Sequence, residues 1–338
     1  MAGFSVAELY IRWFLPIDEE GRYELTDDPI LFYRLAVDVS GFDLGARYSQ
    51  TRQHTRGPLE FTHDPKPGVE RILWVGDSAC YGVRVADEQT APYQLQQVAN
   101  SHGAAVESIN LGVVGYNVRQ VREVIKQRSK EFSGARAIVY FHHENDIVNA
   151  TWVALAPHIP SGLHTFERPQ SQWKKLLKRS ALIHRLGRTR LVGSLLGIAP
   201  PDLQQISNST GSVAINPFSR LCLSLYNEDD PLGRQFREEL FAMADKAEQL
   251  GARFYVVFWP TPTVGGHKEL EQARRTFQKW CSSRGIEFLD VTDDFLAGTP
   301  DGLYSDTSHP GARGHRIVAE AVWKAYRQLP ARAGESAN

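Results

Sequence analysis

The sequence lacks the features that mark three special classes of protein. No apolar run in this sequence of 338 residues approaches the length of roughly 20 residues that a membrane-spanning helix needs. Lysine plus arginine total 38 against 39 aspartates plus glutamates, which argues against a protein that coats nucleic acid, because such domains carry a large basic excess. The three cysteines, Cys80, Cys222 and Cys281, are too few for a disulfide framework or a zinc knuckle. They predict free thiols in a reducing, cytoplasmic compartment.

The remaining composition, 42% hydrophobic and 23% charged, is typical of a globular protein, and no internal repeat interrupts it. The apolar start is too short for a signal peptide and is interrupted by Glu8 and Arg12. Residues 1–69 are predicted to form an arm, because stretch 41–68 is rich in Arg, Thr, His, Gly and Pro and has almost no apolar periodicity. We expect the arm to wrap over the domain at 70–330 rather than to fold alone, and residues 331–338 to form a flexible tail.

From residue 71 onward, short apolar runs alternate with helical patterns. Runs of four to seven residues, rich in Val, Ile and aromatic residues, are typical of buried strands. They are Ile72–Val75, Val106–Leu111, Ala135–Phe141, Arg253–Trp259 and Ile286–Val291. The alternation predicts five parallel strands with helices on both faces, a flavodoxin-like, doubly wound α/β fold. In such sheets the functional groups gather beyond the carboxyl ends of the strands.

One long segment, at about 147–229, separates the third and fourth predicted strands, and a stretch of that length is usually a lid or substrate-binding insertion. Within it, stretch 173–190 places Trp173, Leu176 and Leu177 near one helix face and holds no acidic residue. A basic amphipathic helix of this kind can lie on an anionic membrane surface or hold an acidic carrier protein. A lid helix that packs its apolar face on the domain explains the same pattern, and both interpretations stay open.

Short polar motifs follow the first two predicted strands. In Gly76-Asp77-Ser78, a glycine before a serine lets the chain turn sharply and presents the hydroxyl at the sheet edge. The serine N–H then lies at a helix start, where a developing oxyanion can be stabilised. The glycines between Asn110 and Gly115 permit close approach of the backbone to a bound group. Taken alone, the first motif is explained equally well by a turn with a helix cap, and the second is explained better by a tight turn before the next helix.

Two further motifs carry acid–base groups. His142 and His143 follow the third strand, but successive residues of a strand face opposite ways, so no metal site is predicted there. Asn145, in the same segment, can instead donate its side-chain N–H to an oxyanion. Near the last helix, Asp306 stands three residues before His309 and can fix the tautomer of its imidazole, as a serine nucleophile's base requires. A helix cap beside a surface histidine is the alternative.

Together and in this order, the four motifs resemble those of the SGNH, or GDSL, hydrolase family. The resemblance covers roughly residues 70–330 and implies that family's fold, a three-layer α/β/α sandwich around a five-stranded parallel sheet. The matching blocks are Gly-Asp-Ser at 76–78, Asn-x-Gly-x-x-Gly at 110–115, Asn-Asp at 145–146 and Asp-x-x-His at 306–309.

Carried over residue by residue, the resemblance implies a role for each matching position. Ser78 would be the nucleophile, His309 the general base and later the general acid, and Asp306 the residue that orients His309. The backbone N–H groups of Ser78 and Gly115, with the side chain of Asn145, would form the oxyanion hole.

The chain departs from the family pattern at His143, which stands where the family usually has glycine. An imidazole is thereby expected near the pocket, and we predict that His143, Tyr116 and Tyr81 line the substrate site.

The stretch from the arm into the first strand also resembles that of longer bacterial members, in which a membrane helix often comes first. Ala7–Pro16 would then be the remnant of a juxtamembrane segment, with a membrane-associated or periplasmic location as the alternative to the cytoplasm.

The resemblance implies a serine esterase or acylhydrolase that cleaves a carboxylic ester through an acyl-enzyme on Ser78. The ester could be an O-acyl group on a sugar or on another small metabolite, and neither metal nor organic cofactor is implied. Two alternatives remain. The same site could serve an acyltransferase, or the fold could be retained by a non-catalytic carbohydrate- or partner-binding module. The acyl group, the alcohol and the oligomeric state stay open.

Overall fold

The computed structural model describes residues 22–43, 45–147, 217–262, 268–297 and 301–330. The start of the predicted arm, most of the predicted insertion and the predicted tail lie outside these described residues. The basic stretch 173–190 also lies outside the described residues, so the two interpretations of it stay predictions. The predicted domain boundaries stay predictions as well.

The described part of the arm forms two small antiparallel hairpins. Their strands are β1 (Tyr23–Leu25) with β2 (Tyr33–Leu35), and β3 (Val39–Asp43) with β4 (Ala46–Gln50). Isolated two-stranded hairpins are marginally stable in water, and these two are attached to the rest of the chain. The Tyr33 hydroxyl of β2 donates to the Val114 carbonyl at 2.9 Å, and the Ser49 N–H of β4 donates to Asp87 Oδ1 at 3.1 Å.

Five parallel strands form the central sheet. They are β5 (Glu70–Gly76), β6 (Val106–Asn110), β7 (Ala135–Phe141), β8 (Arg253–Phe258) and β9 (Glu287–Asp290). Their order is β6-β5-β7-β8-β9, and every neighbouring pair is parallel. This is the doubly wound, flavodoxin-like order, in which the chain reverses direction across the sheet between β5 and β7. The predicted fold class is confirmed, and the reversal opens a crevice beyond the ends of β5 and β7.

Helices cover both faces of this sheet. They are α1 (Ser78–Tyr81), α2 (Ala91–Ser101), α3 (Val118–Arg128), α4 (Pro217–Leu225), α5 (Pro231–Gln249), α6 (Lys268–Arg284), α7 (Thr292–Ala297) and α8 (Ala312–Tyr326). Because side chains alternate along a strand, Leu73 and Val75 of β5 enter one core, and Ile72 and Trp74 enter the other. Helices α3, α5 and α6 contribute to the first core, and α2 and α8 contribute to the second.

Two features bear on the predictions from composition. The three cysteines all lie in described segments, where each is buried and unpaired. Across the described ranges, no helix has both the length and the apolarity that crossing a bilayer requires.

Candidate active site

Ser78 lies at a sharp turn directly beyond the carboxyl end of β5. Gly76 makes this turn with φ at +154°, and a Cβ atom there would lie 2.6 Å from the carbonyl oxygen of Phe141. Asp77 then caps α1, because its carboxylate accepts the backbone N–H of Ala79 at 2.9 Å. The other oxygen of Asp77 lies 3.1 Å from Ser78 Oγ. The turn therefore presents the Ser78 hydroxyl in the crevice beside β7.

His309 contacts both of the other predicted residues, Ser78 and Asp306. Ser78 Oγ lies 2.9 Å from His309 Nε2, and His309 Nδ1 lies 2.8 and 2.9 Å from the two carboxylate oxygens of Asp306. A carboxylate can only accept, so Nδ1 carries a proton and Nε2 is left free to accept one from the serine hydroxyl. A nucleophile needs such a contact with a base, and a base needs such a contact with an orienting group.

The carboxylate of Asp306 is held from several sides. Its Oδ1 accepts the backbone N–H groups of Ser308 and His309 at 2.7 and 2.9 Å. Burial by itself would raise the pKa of Asp306, but the hydrogen bond and charge of His309, the Ser308 N–H and the Arg84 guanidinium together lower it. Asp306 is therefore a carboxylate at neutral pH.

Arg84 belongs to this site, although the sequence analysis did not identify it. Its Nη1 forms an ion pair with Asp306 Oδ2 at 2.7 Å. Arg84 follows the Gly-Asp-Ser motif by a few residues. No local sequence pattern around it predicts a contact with a residue more than 200 positions away. Only the folded geometry reveals it.

The second motif joins the turn after β6 to α1. The Asn110 side chain donates from Nδ2 to the carbonyl of Cys80 at 3.0 Å and accepts the Gly112 N–H at 2.9 Å. Gly112 is required sterically, since a Cβ atom there would lie 2.4 Å from the backbone nitrogen of Tyr81. Gly115 has φ at +81°, and neither its N–H nor that of Ser78 donates to an acceptor in the described part of the chain.

The two histidines after β7 point in opposite directions, as the alternation of a strand predicts. The His142 ring packs among aromatic side chains, and its Nε2 lies 2.6 Å from the Tyr226 hydroxyl. His143 instead turns to the loop of His309, where its Nε2–H donates to the Ser308 carbonyl at 2.7 Å. Within the described ranges, no cluster of three or more His, Cys, Asp or Glu side chains is arranged to hold a metal ion.

His143 and Asn145 are connected through the backbone. The Asn145 N–H donates to His143 Nδ1 at 3.3 Å, which favours the neutral ring with its proton on Nε2. Burial also favours the neutral ring, whereas Asp77, Glu144 and Asp146 together raise the pKa of His143 to about 9. The contacts of the ring decide for the neutral form, because Nδ1 accepts the Asn145 N–H and an imidazolium has no nitrogen that can accept. The amide oxygen of Asn145 is buried and has no hydrogen-bond partner among the described residues.

Asp146 supports the segment around Asn145 through hydrogen bonds. Its Oδ2 accepts the Tyr140 hydroxyl at 2.5 Å and the His143 N–H at 3.0 Å. Burial and the nearby charge of Asp77 raise the pKa of Asp146 well above its usual value. Asp146 is therefore a buried acid that fixes the backbone of the Asn145 segment.

Tyr81 and Tyr116 do not line a pocket as expected. Both side chains are 1% exposed. The Tyr81 hydroxyl is hydrogen-bonded to the side-chain amide of Gln50 at 3.0 Å, and the Tyr116 hydroxyl donates to the Tyr33 carbonyl. Both rings thus hold the N-terminal arm on the domain. His143, 3% exposed, is likewise occupied by the Ser308 carbonyl.

Comparison with known proteins returns similar structures but no matching sequences. No family model matches this chain, and no curated protein matches it. The solved structure of TesA is 15% identical, with 77% of this chain and 100% of TesA covered at a TM-score of 0.45. A lipolytic G-D-S-L family protein from Veillonella parvula DSM 2008 is 11% identical, with 77% and 100% covered at 0.44. The acetyl xylan esterase AlAXEase is 15% identical, with 75% and 98% covered at 0.41.

Proposed function

We propose that this chain is a serine esterase of the SGNH type, which cleaves a carboxylic ester through an acyl-enzyme on Ser78. One observation carries the proposal: Ser78 Oγ lies 2.9 Å from His309 Nε2, while His309 Nδ1 lies 2.8 Å from Asp306. A serine hydroxyl is a weak nucleophile unless a base lies within hydrogen-bond reach, and a base works best when a third group fixes its tautomer. Both requirements are met by these three side chains.

Acylation follows from this geometry. Ser78 Oγ attacks the ester carbonyl carbon while His309 Nε2 takes the hydroxyl proton, and a tetrahedral intermediate forms. The Asp306 carboxylate stabilises the resulting imidazolium without taking its proton. His309 then gives the proton to the leaving alkoxide as the C–O bond breaks. Water, activated by His309 in the same way, attacks the acyl-enzyme and releases the acid.

The negative charge of the intermediate needs hydrogen-bond donors. The N–H groups of Ser78 and Gly115 donate to no acceptor among the described residues. They are therefore available for this charge, and we assign them to the oxyanion hole. We assign the side-chain amide of Asn145 as the third donor, since it follows β7 beside the crevice. Donors placed where charge develops contribute more to turnover than to substrate binding.

Covalent labelling tests the proposal most directly. A fluorophosphonate probe should modify the wild-type chain at Ser78, and the labelled peptide identifies the residue by mass spectrometry. Ser78→Ala should lose both the label and the hydrolysis of a short-chain aryl ester. Ser101→Ala is the matched control, because the contacts of that hydroxyl, with the Val98 carbonyl and His102 Nδ1, are local to the end of α2. If Ser78→Ala kept most of the ester hydrolysis, the proposal would be wrong.

Product analysis separates hydrolysis from the two alternatives. With a short-chain aryl ester in water, an esterase releases acid and alcohol in equal amounts. If an added sugar or glycerol is acylated in preference to water, the same site serves acyl transfer. A folded chain that neither reacts with the probe nor turns over any ester would indicate a binding module instead.

A further inference from the structure

The acidic member of the site has a cationic neighbour that the proposed mechanism does not use. Arg84 Nη1 lies 2.7 Å from Asp306 Oδ2, and the two side chains are 22% and 7% exposed. The Asp306 carboxylate thus lies between the His309 imidazole and the Arg84 guanidinium. Because both charges are largely shielded from water, screening by salt is weaker here than for a surface pair.

Arg84 is itself held in place by the N-terminal arm. Its backbone adopts the left-handed conformation with φ at +63°, which residues bearing a side chain seldom adopt. Its N–H donates to Asp43 Oδ2 at 3.3 Å, and Arg22 Nη1 donates to the same oxygen at 3.1 Å. Asp43 is the last residue of β3, so the hairpin β3–β4 anchors the backbone from which the Arg84 side chain extends.

A second contact ties the same two loops together. Ser305 Oγ donates to the Val83 carbonyl at 3.3 Å. Val83 directly precedes Arg84 on the first loop, and Ser305 directly precedes Asp306 on the second. The loop after α1 and the loop before α8 are therefore joined at adjacent positions. Their separation fixes where the Asp306 carboxylate lies relative to Ser78.

We infer that Arg84 is a positioning residue of the site, through which the N-terminal arm holds Asp306 in place for His309. The inference rests on the proposed function of Ser78, His309 and Asp306. It gives the arm a role in activity: the arm anchors Arg84 through Asp43, and Arg84 orients and partly neutralises the carboxylate.

The inference has an electrostatic consequence that a purely structural role would not have. The charge of Arg84 helps to keep Asp306 ionised, because it lowers the pKa of that carboxyl together with His309 and the Ser308 N–H. Removing the charge should therefore raise the pKa of Asp306. The other groups in contact with the carboxylate, the His309 imidazole and the Ser308 N–H, belong to its own loop and are unchanged.

The test is the titration of the Asp306 carboxyl carbon by NMR in the full chain, with its signal assigned through Asp306→Asn. In Arg84→Met, the midpoint should move upward, because the charge that lowers this pKa is gone. For a short-chain aryl ester, kcat should fall roughly tenfold while KM changes little, as expected when orientation is lost. Arg84→Lys should restore most of both, since it keeps the charge. Arg52→Met is the matched control, because that arm arginine pairs with Asp38 in an exposed position.

Asp43→Asn probes the arm separately, since it weakens the anchor and leaves Arg84 in the chain. It should lower kcat in the same direction but by a smaller factor, about threefold. If the Asp306 midpoint is unchanged in Arg84→Met, the inference is overturned. Should Arg84→Met fail to fold, Arg84→Gln serves the same purpose, because it also removes the charge but keeps a polar side chain. If the midpoint shifts as expected but no ester is hydrolysed, Arg84 has its role and the proposed esterase activity is wrong.

Discussion

Replacing Asp306 with asparagine should abolish activity by changing the tautomer of His309. Oδ1 of Asp306 accepts two backbone N–H groups, at 2.7 and 2.9 Å, and an asparagine amide oxygen can keep both. The amide nitrogen then takes the place of Oδ2, which lies 2.8 Å from His309 Nδ1. Because an amide nitrogen only donates, Nδ1 must become the acceptor and the imidazole proton moves to Nε2.

The expected loss is large, since a protonated Nε2 can no longer take the proton of Ser78 from 2.9 Å away. In a serine protease, the same change in the corresponding aspartate lowers kcat about 10⁴-fold with the geometry intact. That factor corresponds to about 5.5 kcal/mol of activation free energy. Here the new amide N–H groups also face the Arg84 guanidinium, which lies 2.7 Å from Oδ2, so the loss should be no smaller.

The assay is kcat for a short-chain aryl ester between pH 6 and 9, with circular dichroism and thermal unfolding as checks of the fold. Asp301→Asn is the matched control, because that aspartate is exposed and lies before the same loop. It should leave kcat unchanged. If a folded Asp306→Asn stayed within tenfold of wild type, the tautomer argument would be refuted.

Three further variants test the other parts of the site and its support. Asn145→Ala should lower kcat about 10²–10³-fold with little change in KM, as for loss of one oxyanion donor; a change in KM alone would mark an ordinary substrate contact. Gly112→Ala places a Cβ atom 2.4 Å from the Tyr81 nitrogen, and it should lower the free energy of unfolding by about 1–3 kcal/mol in urea; unchanged stability would contradict the close packing of these two turns. Burial, with smaller effects of Arg56 and His309, lowers the pKa of His315 from its usual 6.5 to about 3. Between these two pH values, His315 is therefore protonated in the unfolded chain and neutral in the folded chain. The stability that His315 contributes is complete above about pH 6.5 and is lost as the pH falls, by about 3 kcal/mol at pH 4. His315→Gln should therefore lose less stability than wild type between pH 7 and 4, and equal losses would contradict this.

Much of the fold could be predicted from local patterns alone. The inner strands β5, β7 and β8 are buried on both faces along most of their length, so their apolar runs are visible in the sequence without knowledge of their neighbours. The alternation of runs and helices is enough to predict parallel strands, because only crossover connections can join them. The Asp306–His309 contact is also local, since the two residues are three positions apart and a single turn brings them together.

The contacts that complete the site depend on residues far apart in the chain. Ser78 and His309 are 231 positions apart, and they meet only because the sheet order places their loops at one edge. Tyr81 and Tyr116 were predicted to line the pocket, but the N-terminal arm supplies the hydrogen-bond partners that bury both hydroxyls. Arg84 shows the same limit most clearly. A charged side chain can pair with any carboxylate within reach, and local sequence does not specify which one the folded chain brings to it.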